Sequence, residues 1–126
     1  MKIARKDFVS EPFVNKTGER VYEMIGRPDA LGGASAHSLG HVVIPPGCSS
    51  RPHYHPVAEE TYYILAGCAK MVVDGNEYIL SHGDAILIMP PEKHQIFSIG
   101  SIDLEFIVVC APAWEPTNSI YLDDAN

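Results

Sequence analysis

Turn-forming residues recur at short intervals along almost the whole chain, and their spacing restricts the folds that the chain can adopt. Pro, Gly and Asp repeatedly interrupt runs of apolar and β-branched residues. The stretch from Leu31 to Leu39 has the length for one or two helical turns, but its glycines and serines disfavour a helix. About eight or nine short strands separated by such turns indicate an all-β sandwich or barrel.

The predicted strands follow one another closely. Asp74-Gly75 is a dipeptide that makes tight hairpins, so the runs on either side of it are expected to pair. Proline cannot donate to a strand ladder, so Pro45-Pro46 and Pro90-Pro91 are predicted to end the strands before them. The run 85–89 is apolar throughout, which is typical of a strand covered on both faces by a second layer or a subunit. The expected strands cover residues 20–25, 35–44, 60–65, 68–73, 77–80, 85–89, 94–99 and 102–109.

The segments that flank these strands are expected to be less regular. Residues 1–19 are predicted to form an arm with weak strand character at Phe8-Val9 and Phe13-Val14. Residues 112–126 contain too much proline for a regular element, and we expect a tail that lies across the sheet with Trp114 as its anchor and a frayed end.

Length and charge limit the class of protein. At 126 residues the chain fits one domain, residues 1–126, in which residues 20–111 form the barrel. The net charge of -7 repels nucleic-acid phosphates and anionic lipids, so neither is an expected partner. Residues 1–17 lack the apolar stretch of a secretory signal, and no run approaches the roughly 18 apolar residues of a membrane span. Three cysteines without paired spacing agree with the expected location, the cytoplasm.

Three side chains that can bind a metal occur within eight residues. His53 and His55 are two positions apart, so in an extended backbone both leave the same face, and Glu60 follows a short turn. Glu59 is the alternative carboxylate. His94 begins another predicted strand and is the fourth candidate. Two or three imidazoles with one carboxylate suit a divalent transition metal such as Fe, Mn, Ni or Zn, and the residues alone do not select among these.

The spacing of these residues resembles the first motif of the cupin superfamily. That motif has Gly, five residues, His-x-His, three or four residues, Glu, six residues and Gly. Glu60, unlike Glu59, is separated from the final glycine by six residues, which favours Glu60 as the carboxylate. The matching residues in this chain are Gly47, His53, His55, Glu60 and Gly67.

The second cupin motif is matched with two departures. The family has Gly, five residues, Pro-x-Gly, a variable stretch, then His, three residues and Asn, whereas this chain has Ser81 for the proline and Ser98 for the asparagine. Neither position is a metal ligand in the family. The other matching residues are Gly75, Gly83 and His94.

The resemblance is closest over residues 40–100 and implies a fold, a site and an assembly. The fold would be a double-stranded β-helix, the cupin jelly-roll barrel, as in small single-domain cupins. His53, His55, Glu60 and His94 would be the metal ligands. The family commonly forms dimers, so a homodimer is expected.

Two further side chains are candidates for contact with a substrate. On an extended strand Tyr62 shares the inward face of Glu60 and would offer its phenolic O–H, with a core aromatic as the alternative role. His37 and His41 lie four apart on one strand face, and His41 is the candidate to reach the barrel interior.

The predicted partner is a small-molecule substrate or ligand, and three functions stay open. The first is a metal-dependent enzyme acting on a carbonyl, phenolic or sugar-like compound, with dioxygenase chemistry preferred. The second is an isomerase, cyclase or lyase that uses the metal as a Lewis acid. The third is a non-catalytic cupin that binds a sugar or metabolite. The sequence assigns no catalytic residue.

Overall fold

The computed structural model describes residues 1–124, so the last two residues of the predicted tail lie outside the described part. The predicted all-β class is confirmed: regular structure in this part consists of eleven strands and three short 3₁₀ turns. None of its helices is long and apolar enough to cross a membrane. The strands are β1 Phe13–Val14, β2 Arg20–Ile25, β3 Ser38–Ile44, β4 His53–Tyr54, β5 Glu59–Ala66, β6 Cys68–Val73, β7 Asn76–Ser81, β8 Ala85–Ile88, β9 His94–Ser98, β10 Leu104–Ala111 and β11 Ile120–Tyr121.

The strands form two antiparallel sheets. One sheet has six strands in the order β1-β2-β3-β10-β5-β8, and the other has five in the order β11-β4-β9-β6-β7. The chain therefore crosses repeatedly from one sheet to the other. The predicted hairpin at Asp74-Gly75 joins β6 and β7, and both residues have positive φ (47° and 84°), as a tight hairpin turn requires.

Strand alternation places the core between the two sheets. In β3 every second residue is buried, and β5 and β9 repeat the pattern, because successive side chains of a strand point to opposite faces. The inward-facing residues pack as one cluster. Its fully buried members include Ile44, Ile64, Met71, Ile96, Leu104 and Phe106.

Two segments differ from the expectation. Of the two covers predicted for the strand at 85–89, a second layer is not found within residues 1–124: β8 is an edge strand, with Ile88 buried but Leu87 55% exposed. Its outer face stays apolar and open. Cover by a subunit stays a prediction. In the arm, a 3₁₀ turn at Lys6–Phe8 replaces the expected strand at Phe8-Val9, whereas Phe13–Val14 does pair with β2.

The tail contains more regular structure than its prolines suggested. It makes a 3₁₀ turn at Pro116–Asn118 and then adds β11 to the five-stranded sheet, with Tyr121 opposite His53. Trp114 does anchor the segment to the barrel, since its backbone N–H donates to the Ser38 hydroxyl of β3 at 2.9 Å. The tail therefore reaches the strand that carries the predicted metal ligands.

Candidate metal centre

The four predicted ligands come from both sheets and meet at one point. His53 in β4 and His94 in β9 are direct partners across the five-stranded sheet, and His55 follows β4 by one residue. Glu60 projects from β5 in the six-stranded sheet. One ligand atom from each of the four residues lies within 4.8 Å of those of the others. The structure therefore brings together the set that the sequence singled out.

The carboxylate of Glu60 lies between two imidazoles. Its Oε2 is 3.1 Å from His55 Nε2 and its Oε1 is 3.3 Å from His94 Nε2. Glu60, His55 and His94 are buried, whereas His53 is only partly so. A charged carboxylate at such depth requires partners of positive charge.

The three imidazole rings are held in one orientation by backbone carbonyls. The Nδ1 atoms of His53, His55 and His94 lie 2.7, 2.6 and 2.9 Å from the carbonyl oxygens of Arg51, Asn118 and Glu92. A carbonyl oxygen can only accept, so each Nδ1 carries the proton and donates it. In the neutral ring, Nε2 is then a free lone pair, as a metal ligand requires.

The buried donor set fits a divalent cation. Nε2 of His55 has no hydrogen-bond partner, although Glu60 Oε2 lies 3.1 Å from it. Because the ring proton of His55 is on Nδ1, Nε2 and Oε2 both present lone pairs to each other. A proton or a metal ion between them satisfies both, so metal binding is coupled to proton release. Nitrogen and oxygen donors together suit Fe, Mn, Ni or Zn.

The charges of the site agree with this role. Burial disfavours the Glu60 carboxylate, but in the metal-free site the His55 and His94 rings, when they carry a proton on Nε2, donate to it and outweigh burial, so the pKa of Glu60 lies well below its ordinary value. Burial, followed by the charge of His94, lowers the pKa of His53 to about 4. Burial acts against the charged form of His55 too, yet the contact with Glu60 raises its pKa. At neutral pH, therefore, Glu60 is an anion and His53 a neutral ligand.

A cavity of about 320 Å³ opens beside this centre, and three of the candidate ligands, His53, His55 and Glu60, line it. Most of its remaining wall is apolar. The wall includes Phe13, Val21, Val42, Phe106, Val108 and Trp114. A pocket with this lining suits a small organic compound that presents a few polar atoms toward the ligands.

The Cupin_2 family, described as a cupin domain, matches residues 40–110, which is more than half of the chain. The chain belongs to the cupin family. The predicted double-stranded β-helix, or jelly-roll barrel, is confirmed by this match together with the two-sheet architecture.

Other proteins resemble this cupin over different lengths. It is 29% identical over 124 residues to the uncharacterized protein MJ1618 of Methanocaldococcus jannaschii, with 98% of each chain covered. It is 29% identical over 80 residues to the tetracenomycin polyketide synthase protein TcmJ of Streptomyces glaucescens, covering 64% of the cupin and 54% of TcmJ. The crystal structure of the formate complex of Lactobacillus farciminis oxalate decarboxylase superimposes with a TM-score of 0.77 and 26% identity, covering 89% of the cupin and 33% of that enzyme. The cupin thus spans about half of TcmJ and a third of the decarboxylase.

Of the two predicted substrate contacts, the structure brings one to the cavity. Tyr62 lines the cavity and stacks on Phe106, with ring centroids 4.8 Å apart. Burial, followed by the charge of Glu60, raises the pKa of Tyr62 well above its ordinary value, so its hydroxyl keeps the proton that it can donate. His41 is not brought there. Its neighbour Val42 points inward, so the imidazole lies on the outer face, with Nε2 2.9 Å from Glu105 Oε1.

Sequence reasoning missed two groups of residues in this cupin. Asn118 and Tyr121 of the tail contact the rings of His55 and His53, and only their position after the barrel hints at this role. Asn15, Glu19 and Glu23 line the cavity from the start of the six-stranded sheet. The sequence signal for Glu19 and Glu23 was weak. They lie two positions on either side of Val21 and share its strand face, but a solvent-exposed strand shows the same pattern.

Proposed function

We propose that this cupin is a metal-dependent enzyme that acts on a small carbonyl or phenolic compound. His53, His55, Glu60 and His94 would hold one divalent transition metal ion. The observation that carries the proposal is the orientation of the three imidazoles: every Nδ1 is bound to a backbone carbonyl, so three Nε2 lone pairs and one carboxylate converge beside an open cavity.

The chain and the metal would contribute different parts of the chemistry. The bound ion would polarise a carbonyl or enolate oxygen as a Lewis acid, or activate dioxygen as a redox centre. The apolar wall at Val42, Phe106 and Trp114 would bind the carbon skeleton and keep bulk water from the reacting atoms. Tyr62 would donate a hydrogen bond to a substrate oxygen. These walls suit a ring compound better than a sugar, whose many hydroxyls need many polar partners.

Oxygenation is the first candidate reaction, because an apolar cavity beside the ligands admits dioxygen and a phenolic ring together. Cyclisation or isomerisation without oxygen is the second, and the similarity to TcmJ, a protein named for polyketide synthesis, supports it. A cupin that binds a metabolite without reaction is the third.

Elemental analysis tests the metal site directly. Protein purified without added metal is expected to contain close to one equivalent of Fe, Mn, Ni or Zn, and His55→Ala is expected to lose it. His82→Ala is the matched control because His82 is exposed and lies outside the ligand set. Equal metal content in both variants would contradict the site.

Oxygen uptake then separates the reaction classes. The loaded protein is mixed with phenolic and carbonyl compounds while dissolved oxygen is recorded. Consumption that requires both substrate and metal supports oxygenation, whereas turnover without oxygen supports the cyclase or isomerase class. Tight binding with no product in either assay supports the non-catalytic function.

Two further proposals concern the setting of the protein. We propose a homodimer and a cytoplasmic location, as the sequence analysis expects. The exposed apolar side chains of Leu87 in β8 and of Met89 directly after it are compatible with a contact between copies. Size-exclusion chromatography with light scattering measures the assembly state.

A further inference from the structure

Two carboxyl groups line the cavity without being part of the metal centre. Glu19, which directly precedes β2, and Glu23 in β2 alternate with Val21 on one strand face, and all three side chains border the cavity. Glu19 is 9% exposed. A carboxyl group buried to this extent in an apolar wall costs folding energy, so its position needs an explanation beyond stability.

The Glu19 carboxyl is fixed in orientation by Asn15. The Asn15 side-chain amide donates to Glu19 Oε1 at 2.5 Å, and the Asn15 backbone N–H donates to the Glu19 carbonyl at 2.8 Å. Within residues 1–124, Asn15 provides the one side-chain hydrogen bond to this carboxyl. The arrangement leaves Oε2 available to a molecule in the cavity.

The charges around the cavity disfavour an anionic ligand. Glu19, Glu23 and Glu60 all border it. Arg51 also borders it, but its guanidinium is engaged elsewhere: Nη2 lies 2.8 Å from Asp123 Oδ1 and also contacts Asp124, and the group stacks 3.8 Å from the Tyr121 ring centroid. The cation is thus already neutralised by the tail. A carboxylate ligand would meet several negative groups and no uncommitted positive side chain among the described lining residues.

We propose that Glu19, supported by Glu23, determines substrate specificity by admitting an uncharged hydroxylated ring compound and rejecting carboxylates. Glu19 would hydrogen-bond a hydroxyl of the substrate while another substrate oxygen faces the metal ligands. The apolar walls would hold the ring. This inference rests on the proposed function and names the substrate class of the same site.

The protonation of the two carboxyls is consistent with such a contact. Burial raises the pKa of Glu19 to about 7, with the Asn15 hydrogen bond acting against the rise and the charge of Glu60 adding to it. Burial also raises the pKa of Glu23. Near neutral pH Glu19 can therefore accept or donate a hydrogen bond, whereas above it the carboxylate repels anions.

A matched pair of probes tests the proposal at pH 8, where Glu19 is charged. Salicylate and 2′-hydroxyacetophenone have the same phenol ring. Salicylate carries a carboxylate where 2′-hydroxyacetophenone carries an uncharged acetyl group. Binding of each to the Mn(II)-loaded protein is measured by titration calorimetry for wild type, Glu19→Gln and Glu23→Gln. Glu77→Gln is the control because it removes an exposed charge outside the cavity.

The expected result is a change in the ratio of the two affinities. Glu19→Gln keeps an acceptor for Asn15 but removes the charge, so salicylate binding should strengthen about tenfold relative to 2′-hydroxyacetophenone, while Glu77→Gln leaves the ratio unchanged. Glu23→Gln repeats the test if Glu19→Gln does not fold. An unchanged ratio in the folded cavity variants, with Mn(II) bound, overturns this inference alone. Protein that binds no metal overturns the proposed function and the inference with it.

Discussion

Replacing Glu19 with Gln should remove a pH-dependent loss of stability. Burial raises the pKa of Glu19 from its ordinary value of 4.5 to about 7 in the folded state. A carboxyl group with the higher pKa in the folded state binds its proton more tightly there, so the free energy of unfolding falls as pH rises from about 4.5 to about 7. The difference between 7 and 4.5, at about 1.4 kcal/mol for each pH unit, comes to about 3 kcal/mol.

Urea unfolding of the metal-free protein at pH 4 and pH 8 measures this effect. At pH 4 the carboxyl is protonated in both states, so wild type and Glu19→Gln should differ little. At pH 8 the variant should be the more stable by about 3 kcal/mol, because Gln still accepts the Asn15 hydrogen bond and carries no buried charge. Glu77→Gln, at an exposed position, should show no such change with pH. A constant difference between Glu19→Gln and wild type across the pH range would refute the reasoning.

Four other substitutions test the site and the fold. Loss of a residue that only supports a metal ligand weakens binding by roughly 10- to 100-fold. His55→Ala should weaken Mn(II) binding by more than this, as measured by equilibrium dialysis. A smaller loss would argue against His55 as a ligand. Gly67→Ala and Gly75→Ala each place a side chain at positive φ, which costs roughly 1–2 kcal/mol, but only at Gly67 would the new Cβ lie 2.7 Å from the Asp103 carbonyl oxygen. Thermal unfolding should therefore show the larger loss for Gly67→Ala, and equal losses would contradict the close approach. Phe106→Ala should lower the free energy of unfolding by roughly 3–5 kcal/mol in urea, because the ring is 1% exposed; a loss below about 1 kcal/mol would show that this core is loosely packed.

The cluster of four candidate metal ligands was predictable because its geometry is mostly local. His53 and His55 share a face by strand alternation, and the interval from Glu60 to Gly67 matched a known motif. Strand class and hairpins were predictable for the same reason, since period-two patterns and turn dipeptides act over a few residues. The inward position of Tyr62 was predictable because it lies two residues after Glu60 on the same strand, and Tyr62 does line the cavity.

Errors arose where the outcome depended on distant parts of the chain. His41 has suitable chemistry, but packing against Phe106 and other core residues determines which face of β3 turns inward. That packing places Val42 inside and His41 outside. For the apolar run at 85–89, the sequence left open whether a second layer or a subunit covers the outer face, and the edge position of β8 shows that no layer within residues 1–124 covers Leu87. Edge or centre is a property of the sheet order, which a single strand does not encode.

The sequence alone determined the all-β class, the cupin motif and the choice of the four candidate ligands, since these depend on residue type and short spacing. Only the tertiary structure decided how the site is completed. The carbonyl that orients His55 belongs to Asn118, and the cavity beside the candidate ligands is also lined by Glu19, which lies far before them in the chain. Contacts of this kind form when two sheets close on each other, and backbone carbonyls, present in every residue, leave no mark in the sequence.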